Sequence, residues 1–181
     1  MDSGKVNYER YLDGDDEGLR ELIDEFYTPL AFYLNTYLRN MDDAEEEAEN
    51  TFVTLATKRP VFCGKSGFKT WLFTIGRNLA VDRLRKKPKN THVNIDDCLD
   101  LPSAEYVEDA YFLTEDKAAV RKAMERLRPK YRQVLRLAYF EDMECEDIAE
   151  AMGKSKSSVY HLLERAKASL KTELKKEGYR S

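Results

Sequence analysis

The segment FKTWLFTIGRNLAVDRLRKK, at residues 68–87, constrains the fold of this chain more than any other. At 100° per residue its apolar side chains gather on one broad face, as they do in a helix that packs against a core. They are Leu72, Phe73, Ile75, Gly76, Leu79, Ala80 and Leu84. The spacing therefore predicts a long amphipathic helix with one buried side.

The opposite face of this helix carries polar and aromatic chemistry. The residues on it are Trp71, Thr74, Asn78 and Arg85, and the basic residues at or beyond its end are Arg83, Arg85, Lys86, Lys87 and Lys89. An outward indole beside an amide and a basic end could stack bases and hold phosphates. The alternative is that Trp71 packs one part of the protein against another.

Composition favours a helical, globular chain of one or two domains, since 181 residues include only 8 Gly and 5 Pro. No apolar run approaches the roughly 20 residues that cross a bilayer, and the N-terminus lacks an apolar signal core. We therefore expect a cytoplasmic protein without a membrane segment. Cys63, Cys98 and Cys145 are odd in number, and His92 and His161 are scattered, so neither disulfides nor a metal site is expected.

The net charge of −4 is distributed unevenly along the chain. Residues 68–89 carry 7 Lys or Arg and 1 Asp or Glu, and residues 154–181 carry 8 and 3. Residues 1–66 are acidic, with 7 bases and 15 acids, and residues 90–116 have 8 acids and no Lys or Arg. Two basic patches separated by acidic segments could bind DNA locally because salt screens distant charges, although such patches can also be solvated faces.

The N-terminal third is predicted to be helical throughout. Asp15 and Asp16 are candidate N-caps, and Pro29 predicts either two helices or one kinked helix within residues 19–40. Asp42 opens a further amphipathic helix that Pro60 ends. Its outer face is acidic, with Asp43, Glu46, Glu47, Glu49 and Asn50 largely on one side. That face could be ordinary solvated surface or a docking surface for a basic partner.

Two segments lack helical periodicity. Residues 61–67, VFCGKSG, form a predicted loop with two glycines that could be the wall of a pocket for an extruded base. From residue 88 to about residue 114 the pattern dissolves, which predicts a flexible interdomain linker. The acids of this linker could also shield a basic DNA site in the free protein.

The C-terminal part predicts a helix-turn-helix. Helix is expected from about Glu115, again from Pro129, and then in a pair joined by Gly153, with Ser155 as the cap of the second helix. The second helix turns Ser157, Ser158, His161, Arg165 and Thr172 outward, with Lys156, Tyr160, Lys167 and Lys171 at its flanks. Small hydroxyls followed by basic residues suit base edges and phosphates. Helical hairpins of this kind also occur in bundles that bind nothing.

These stretches resemble the bacterial RNA polymerase sigma factors of the extracytoplasmic-function group, in the sigma-70 family. FKTWLFTIGRNLAVDRLRK is similar to the region that recognises and melts the −10 promoter element, and DDAEEEAENTF to the preceding helix that binds the β′ coiled coil of the polymerase. RLRPKYRQVLRLAYFEDMECEDIAEAMGKSKSSVYHLLERAKASL resembles the domain that reads the −35 element. GDDEGLRELIDEFYTPL is similar to the opening helix of the family.

The resemblance implies a role for each group of residues. Core polymerase would be bound by Asp43, Glu46, Glu49 and Asn50. The −10 DNA would be bound and melted by Cys63, Lys65, Phe68, Trp71, Phe73, Asn78, Arg83, Arg85 and Lys86, with a base pocket in the 63–68 loop. The −35 DNA would be bound by Lys156, Ser157, Ser158, His161, Arg165, Lys167 and Lys171. The implied partners are the β′ clamp coiled coil and β flap of core polymerase, promoter DNA and an anti-sigma factor.

The chain departs from the pattern of the family at a few positions. The family usually has an apolar residue in place of Glu47 and a basic one in place of Thr74. Its recognition helix usually has basic or small residues where this chain has Tyr160, His161 and Leu162. These departures concern the −35 sequence preference and the number of phosphate contacts.

The sequence thus predicts an all-α protein of two small domains joined by a flexible linker. Residues 1–89 would form the first domain, residues 90–114 the linker and residues 115–181 a domain that contains the helix-turn-helix. The predicted function is promoter-specific initiation by RNA polymerase. We expect no enzymatic activity, cofactor or small-molecule substrate, because no nucleophile with a nearby base, metal spacing or phosphate-binding glycine loop is present. A stand-alone helix-turn-helix regulator and a structural adaptor protein remain alternatives.

Overall fold

The computed structural model describes residues 2–86 and 115–176, and these residues form eight α-helices and no strand. The helices are α1 Ser3–Leu12, α2 Asp16–Leu38, α3 Met41–Lys58, α4 Phe68–Lys86, α5 Glu115–Glu125, α6 Pro129–Tyr139, α7 Cys145–Met152 and α8 Lys156–Lys176. The all-α prediction is confirmed. The linker predicted at 90–114 lies outside the described residues, as do Lys87 and Lys89, and the division into two domains stays a prediction.

Short acidic and amide side chains begin the first three helices. The carboxylate of Asp2 accepts a hydrogen bond from Lys5 N, that of Asp15 from Glu17 N, and the Asn40 amide oxygen from Asp43 N. Each satisfies a backbone N–H that the first turn of a helix leaves without a partner. Asp15, one of the two predicted candidates, is therefore the cap of α2. The cap of α3 is Asn40, and the helix begins at Met41, one residue before the predicted opening at Asp42.

Helix α2 runs without interruption through Pro29. The sequence left two helices or one kinked helix open, and the two-helix alternative is wrong. A proline within a helix removes one backbone hydrogen bond and crowds the preceding turn. Here the flanking side chains Phe26, Leu30 and Leu34 are all buried, and their burial opposes a break at this point.

The first four helices enclose one core, and α4 approaches its neighbours closely at Gly76. A Cβ atom at this position would lie 2.9 Å from Leu30 Cδ1 and 3.2 Å from Thr51 Oγ1. The missing side chain therefore lets α4 pack against α2 and α3 together. Gly76 lies on the predicted apolar face of the helix, so the sequence placed it correctly toward the core.

The C-terminal helices also pack against the N-terminal ones. The Tyr33 hydroxyl of α2 is buried and donates a hydrogen bond of 2.8 Å to the Ala151 carbonyl of α7. The Lys69 ammonium of α4 lies 2.5 Å from the Glu141 carboxylate, which is itself buried. A polar network and an apolar core thus connect α2 and α4 with α6 and α7. None of the helices within residues 2–86 and 115–176 is both long and apolar enough to span a membrane.

Candidate nucleic-acid and polymerase interfaces

Trp71 belongs to an aromatic cluster, which we define as Tyr8, Phe62, Phe68 and Trp71. The centroid of the Trp71 ring lies 5.2 Å from that of Phe62, 5.4 Å from Phe68 and 5.5 Å from Tyr8. Trp71 is partly buried. The indole predicted to point outward is therefore only partly exposed, and it packs against other parts of the protein as the alternative held. The outer face of α4 is covered at this point by α1 and by the 61–67 loop, which the periodicity of α4 alone does not reveal.

Two of the aromatic residues predicted to act on −10 DNA are core residues. Phe68 and Phe73 are both fully buried. Phe68 contacts Tyr8, Phe26 and Phe62, and Phe73 stacks on Tyr33 with centroids 5.2 Å apart. Direct DNA contacts by these two rings are thus excluded in this conformation, because both stand on the apolar side of α4. Phe68 instead packs against Trp71, with the two ring centroids 5.4 Å apart.

The loop beside the aromatic cluster is open to solvent. Cys63, Gly64 and Lys65 are exposed, and Gly64 adopts a left-handed conformation with φ of 67°. The loop is anchored where it meets α4, because the Asp2 carboxylate accepts a hydrogen bond of 2.7 Å from Phe68 N. An exposed, anchored loop with a cation next to a partly buried indole is a suitable place for an unstacked base.

The basic end of α4 divides into two kinds of residue. Asn78, Arg85 and Lys86 are exposed, with Arg85 forming an exposed ion pair of 3.3 Å to Asp82. Arg83 instead turns toward α3, where its guanidinium binds three carboxylates. Its predicted role as a −10 DNA contact does not fit this geometry, because both of its terminal nitrogens are already paired within the protein.

The carboxylates paired with Arg83 include two of the predicted polymerase-binding residues. Arg83 Nη2 lies 2.5 Å from Asp43 Oδ1 and 2.9 Å from Glu46 Oε2, and Nη1 lies 2.9 Å from Glu47 Oε1. Hydrogen bonds to Glu46, Glu47 and Asp43 raise the pKa of Arg83 above its ordinary value. Glu47, which the sequence placed largely on the outer face, is buried. Its burial follows from this pairing, since a buried charge needs a counter-charge.

The outer face of α3 retains an exposed set of residues. Glu49 and Asn50 are exposed, as predicted for a docking surface, and the Asn50 amide also donates a hydrogen bond of 3.3 Å to Glu47. Val53 lies one turn further along the same face and is 54% exposed. Val53 is not among the residues predicted for this surface, although its spacing from Glu49 and Asn50 could have indicated it.

Helices α7 and α8 form the predicted helix-turn-helix. Helix α7 ends at Gly153, which adopts the left-handed conformation with φ of 62°, and Lys154 N closes the turn on the Ala149 carbonyl. The Ser155 hydroxyl accepts a hydrogen bond of 3.2 Å from Ser158 N and so caps α8. Only Val159 and Ala166 of α8 are fully buried, which leaves most of this helix in solvent.

All seven residues predicted to bind −35 DNA are exposed: Lys156, Ser157, Ser158, His161, Arg165, Lys167 and Lys171. Lys156 forms an ion pair with Glu146 of α7, and this pairing raises the pKa of Lys156 and lowers that of Glu146. Tyr160, which the sequence noted only as a flank and a departure, is 57% exposed beside His161. The N-terminal half of α8 thus presents a polar face with an aromatic edge.

The fold and the exposed helix-turn-helix define a helical DNA-binding protein, and comparisons with known proteins identify its family. The model of "Sigma-70 region 2" matches residues 22–89, and that of "Sigma-70, region 4" matches residues 117–170. Together these matches cover more than half of the chain. The chain belongs to the sigma-70 family of RNA polymerase sigma factors, in the extracytoplasmic-function group.

Individual relatives agree with this assignment. The chain is 27% identical over 162 residues to RNA polymerase sigma factor YlaC of Bacillus subtilis, covering 88% of this chain and 94% of that protein. It is 25% identical over 171 residues to the ECF RNA polymerase sigma factor SigW of the same species, covering 90% and 91%. The co-crystal structure of the sigma factor RpoE with the anti-sigma factor NepR from Bartonella quintana has a similar fold, with a TM-score of 0.66, 23% identity and coverage of 86% and 96%.

Proposed function

We propose that this sigma factor directs core RNA polymerase to its promoters by using two separate DNA-binding surfaces and one polymerase-docking surface. The family assignment supports promoter-specific initiation as the function. The residues that carry it are inferred from their positions in the fold. The observation on which the proposal depends most is the open helix-turn-helix, where the whole predicted contact set of α8 lies in solvent.

At the −35 element, the N-terminal half of α8 enters the major groove. Ser157, His161 and Arg165 face base edges, while Lys167 and Lys171 approach phosphates. Helix-turn-helix proteins read bases with the first turns of the second helix and hold the backbone with flanking residues. The exposed Tyr160 adds an apolar edge that could contact a thymine methyl group.

At the −10 element, the 61–67 loop and the exposed edge of Trp71 receive an unstacked base of the open strand. Stacking on an aromatic side chain contributes about 1–3 kcal/mol per base, and unstacking a base costs a few kcal/mol. Capture by Trp71 therefore offsets strand opening only together with contacts from the polymerase. Cys63 and Lys65 form the exposed wall, and the buried Phe68 ring packs against Trp71. Asn78, Arg85 and Lys86 approach the adjacent backbone.

The exposed part of α3 docks on the polymerase. Glu49, Asn50 and Val53 combine acidic, amide and apolar groups on one exposed face, as contact surfaces that steer a basic partner often do. The catalytic chemistry of transcription belongs to the polymerase. The domain division at residues 1–89 and 115–181, with a linker at 90–114, allows both DNA-binding surfaces to reach their elements together.

A protein inhibitor is a further proposed partner. Two similar structures are complexes with a second protein: the sigma factor RpoE with the anti-sigma factor NepR, and CnrH with the cytosolic domain of CnrY. We expect an anti-sigma factor for this chain as well. Such a protein would be recognised by its ability to abolish transcription when added before core polymerase.

The first experiment is co-elution of the purified protein with bacterial core polymerase, followed by run-off transcription on a pool of genomic fragments. Stable association and new specific transcripts are expected. Binding to duplex DNA without polymerase association would favour a stand-alone regulator. Absence of both would favour a structural adaptor and would contradict the proposal.

A further inference from the structure

Arg83 is the central cation of an ionic cluster between α3 and α4, which we define as Arg83, Asp43, Glu46 and Glu47. Its two terminal nitrogens reach all three carboxylates within 2.9 Å. The planar guanidinium offers several donors in fixed directions, so one arginine can hold more than one carboxylate where a lysine would bind as a point charge. The three acids lie on a single turn of α3, and Arg83 comes from the last turns of α4.

The members of the ionic cluster differ in burial. The Glu47 side chain is 9% exposed, that of Asp43 20% and that of Arg83 25%, whereas Glu46 is 58% exposed. The Arg83 pair with Glu47 is therefore partly buried, with the Glu47 carboxylate as its buried member, and the pair with Glu46 lies at the surface. Removing one partner of a buried pair is strongly destabilising because it leaves the other charge without compensation. The ionic cluster is thus both a structural connection and the edge of an exposed surface.

The same geometry connects the ionic cluster to the proposed docking face. Asn50 donates a hydrogen bond to Glu47, so a docking residue is held by the carboxylate that Arg83 holds. Glu46 is bound by Arg83 on one side and remains open to solvent on the other. Arg83 therefore orients two of the residues for which the resemblance implies polymerase binding, Glu46 directly and Asn50 through Glu47, although it is not itself placed to contact DNA.

We propose that Arg83 is a positioning residue for polymerase docking, which ties the end of α4 to α3 and holds the carboxylate and amide groups of the docking face in the orientation that the polymerase binds. This inference rests on the proposed function and deepens it at the same surface. It replaces the role in −10 DNA binding that the sequence predicted for Arg83. It also separates Arg83 from Arg85, its exposed neighbour on the same helix.

The test measures core polymerase affinity and thermal stability for four proteins: wild type, Arg83→Gln, Glu47→Leu and the double variant Glu47→Leu/Arg83→Gln. Arg83→Gln leaves Glu47 buried without its cation, so its melting temperature and its affinity should both fall, the affinity roughly tenfold. Glu47→Leu removes the buried charge and keeps Arg83 bound to Asp43 and Glu46, so the melting temperature should stay near wild type. It also removes the hydrogen bond that holds Asn50, so the affinity should fall, but by less than in Arg83→Gln.

The double variant distinguishes positioning from stability alone. Leucine removes the buried charge that Arg83 compensates, so the melting temperature should recover, but Asp43 and Glu46 are no longer held. Affinity for core should remain roughly tenfold below wild type. Recovery of affinity together with stability would overturn the proposal and leave the sigma factor function intact. Failure of the wild type to bind core would overturn both.

A second measurement compares Arg83 with Arg85 as the matched control. Promoter binding is measured over a range of salt concentrations with each variant saturated by core polymerase. Arg85→Gln should lower the slope of log affinity against log salt by about 0.9, the amount expected for one lost phosphate contact. Arg83→Gln should leave the slope unchanged. A decrease of the same size for Arg83→Gln would assign it to DNA and overturn the proposal.

Discussion

Helices α4 and α8 both combine aromatic and basic residues, but the two helices are buried to very different extents. Seven residues of α4 are buried: Phe68, Thr70, Leu72, Phe73, Gly76, Ala80 and Val81. In α8, which has 21 residues, the buried ones are Val159 and Ala166. Helix α4 is enclosed by helices on several sides, whereas α8 packs along one side only. Similar sequence chemistry therefore yields a supported aromatic cluster in α4 and a surface open to solvent in α8.

Some of the basic residues of the two helices differ in the same way, although Lys156 of α8 is also paired with another helix. Arg83 and Lys69 of α4 are bound by carboxylates of other helices or turns, at distances of 2.5–2.9 Å for Arg83 and 2.5 Å for Lys69. Among the described residues, Arg165 and Lys171 of α8 form no ion pair and are exposed. Phosphate binding should consequently depend more on α8, and aromatic capture more on α4.

The largest expected effect is the loss of stability in Phe68→Ala. This ring is fully buried within the aromatic cluster, and truncation of a buried phenylalanine costs about 3–5 kcal/mol. Tyr160→Ala is the matched change on α8, where an exposed aromatic should alter stability by about 0.5 kcal/mol or less. Urea denaturation of both variants would measure the difference. Equal losses would contradict the contrast between the enclosed and open helices.

The next effect concerns promoter opening by Trp71. Trp71→Ala should leave core binding intact while reducing strand opening, because it removes a stacking surface worth about 1–3 kcal/mol per base. Trp71→Phe keeps a ring in the aromatic cluster and should retain part of the activity. Permanganate footprinting of the holoenzyme would measure opening. Normal strand opening by the Trp71→Ala holoenzyme would contradict the proposed role of Trp71.

The sequence predicted the α8 surface better than the α4 surface, for a physical reason. One side of α8 is covered, so the period of its own apolar residues suffices to identify the exposed face. Helix α4 is covered on further sides by residues distant in sequence, such as Tyr8 and Phe62 around Trp71. The periodicity of one helix cannot show such contacts. The sequence therefore predicted that Trp71 points outward, whereas neighbouring aromatic rings cover part of it.

The ionic cluster shows the same limit for charged residues. The sequence placed Glu47 with the acids of an outer face and Arg83 with the bases of a DNA-binding end. Each assignment treated one helix alone, but the two side chains meet across 36 positions in the chain. Helix type, the left-handed turn at Gly153 and the caps Asp15 and Ser155 depend on local sequence, and these were predicted correctly.

A smaller effect is expected for Arg165 in duplex binding. If Arg165 contacts a phosphate, Arg165→Ala should weaken binding and lower the salt slope by about one unit. If it reads a base, the slope should stay nearly constant, and discrimination at one promoter position should fall by about 1–3 kcal/mol. Lys122→Ala, an exposed cation on α5, serves as the control. Unchanged affinity and preference in Arg165→Ala would contradict the assignment of α8 as the reading surface.

The smallest effect concerns the buried hydrogen bond by which Tyr33 connects α2 with α7. Its single hydroxyl proton is donated to the Ala151 carbonyl, so the Tyr37 hydroxyl, 3.0 Å away, donates to Tyr33. Tyr33→Phe removes both bonds and leaves a buried carbonyl unpaired, whereas Tyr37→Phe leaves the bond between Tyr33 and the Ala151 carbonyl in place. We expect Tyr33→Phe to lower the free energy of unfolding by about 1–2 kcal/mol, and by more than Tyr37→Phe does.

The pH dependence of unfolding tests the same pair of hydroxyls. Burial raises the pKa of Tyr33 well above 10.0, the value that an exposed tyrosine would have in the unfolded chain. The folded state then holds this proton more tightly, so its stabilising effect is complete below pH 10.0 and is lost as the pH rises beyond that value. The wild-type free energy of unfolding should therefore decline above pH 10.0, and Tyr33→Phe should decline less steeply. Identical slopes would show that the Tyr33 hydroxyl is open to water, and would remove the buried polar connection between α2 and α7.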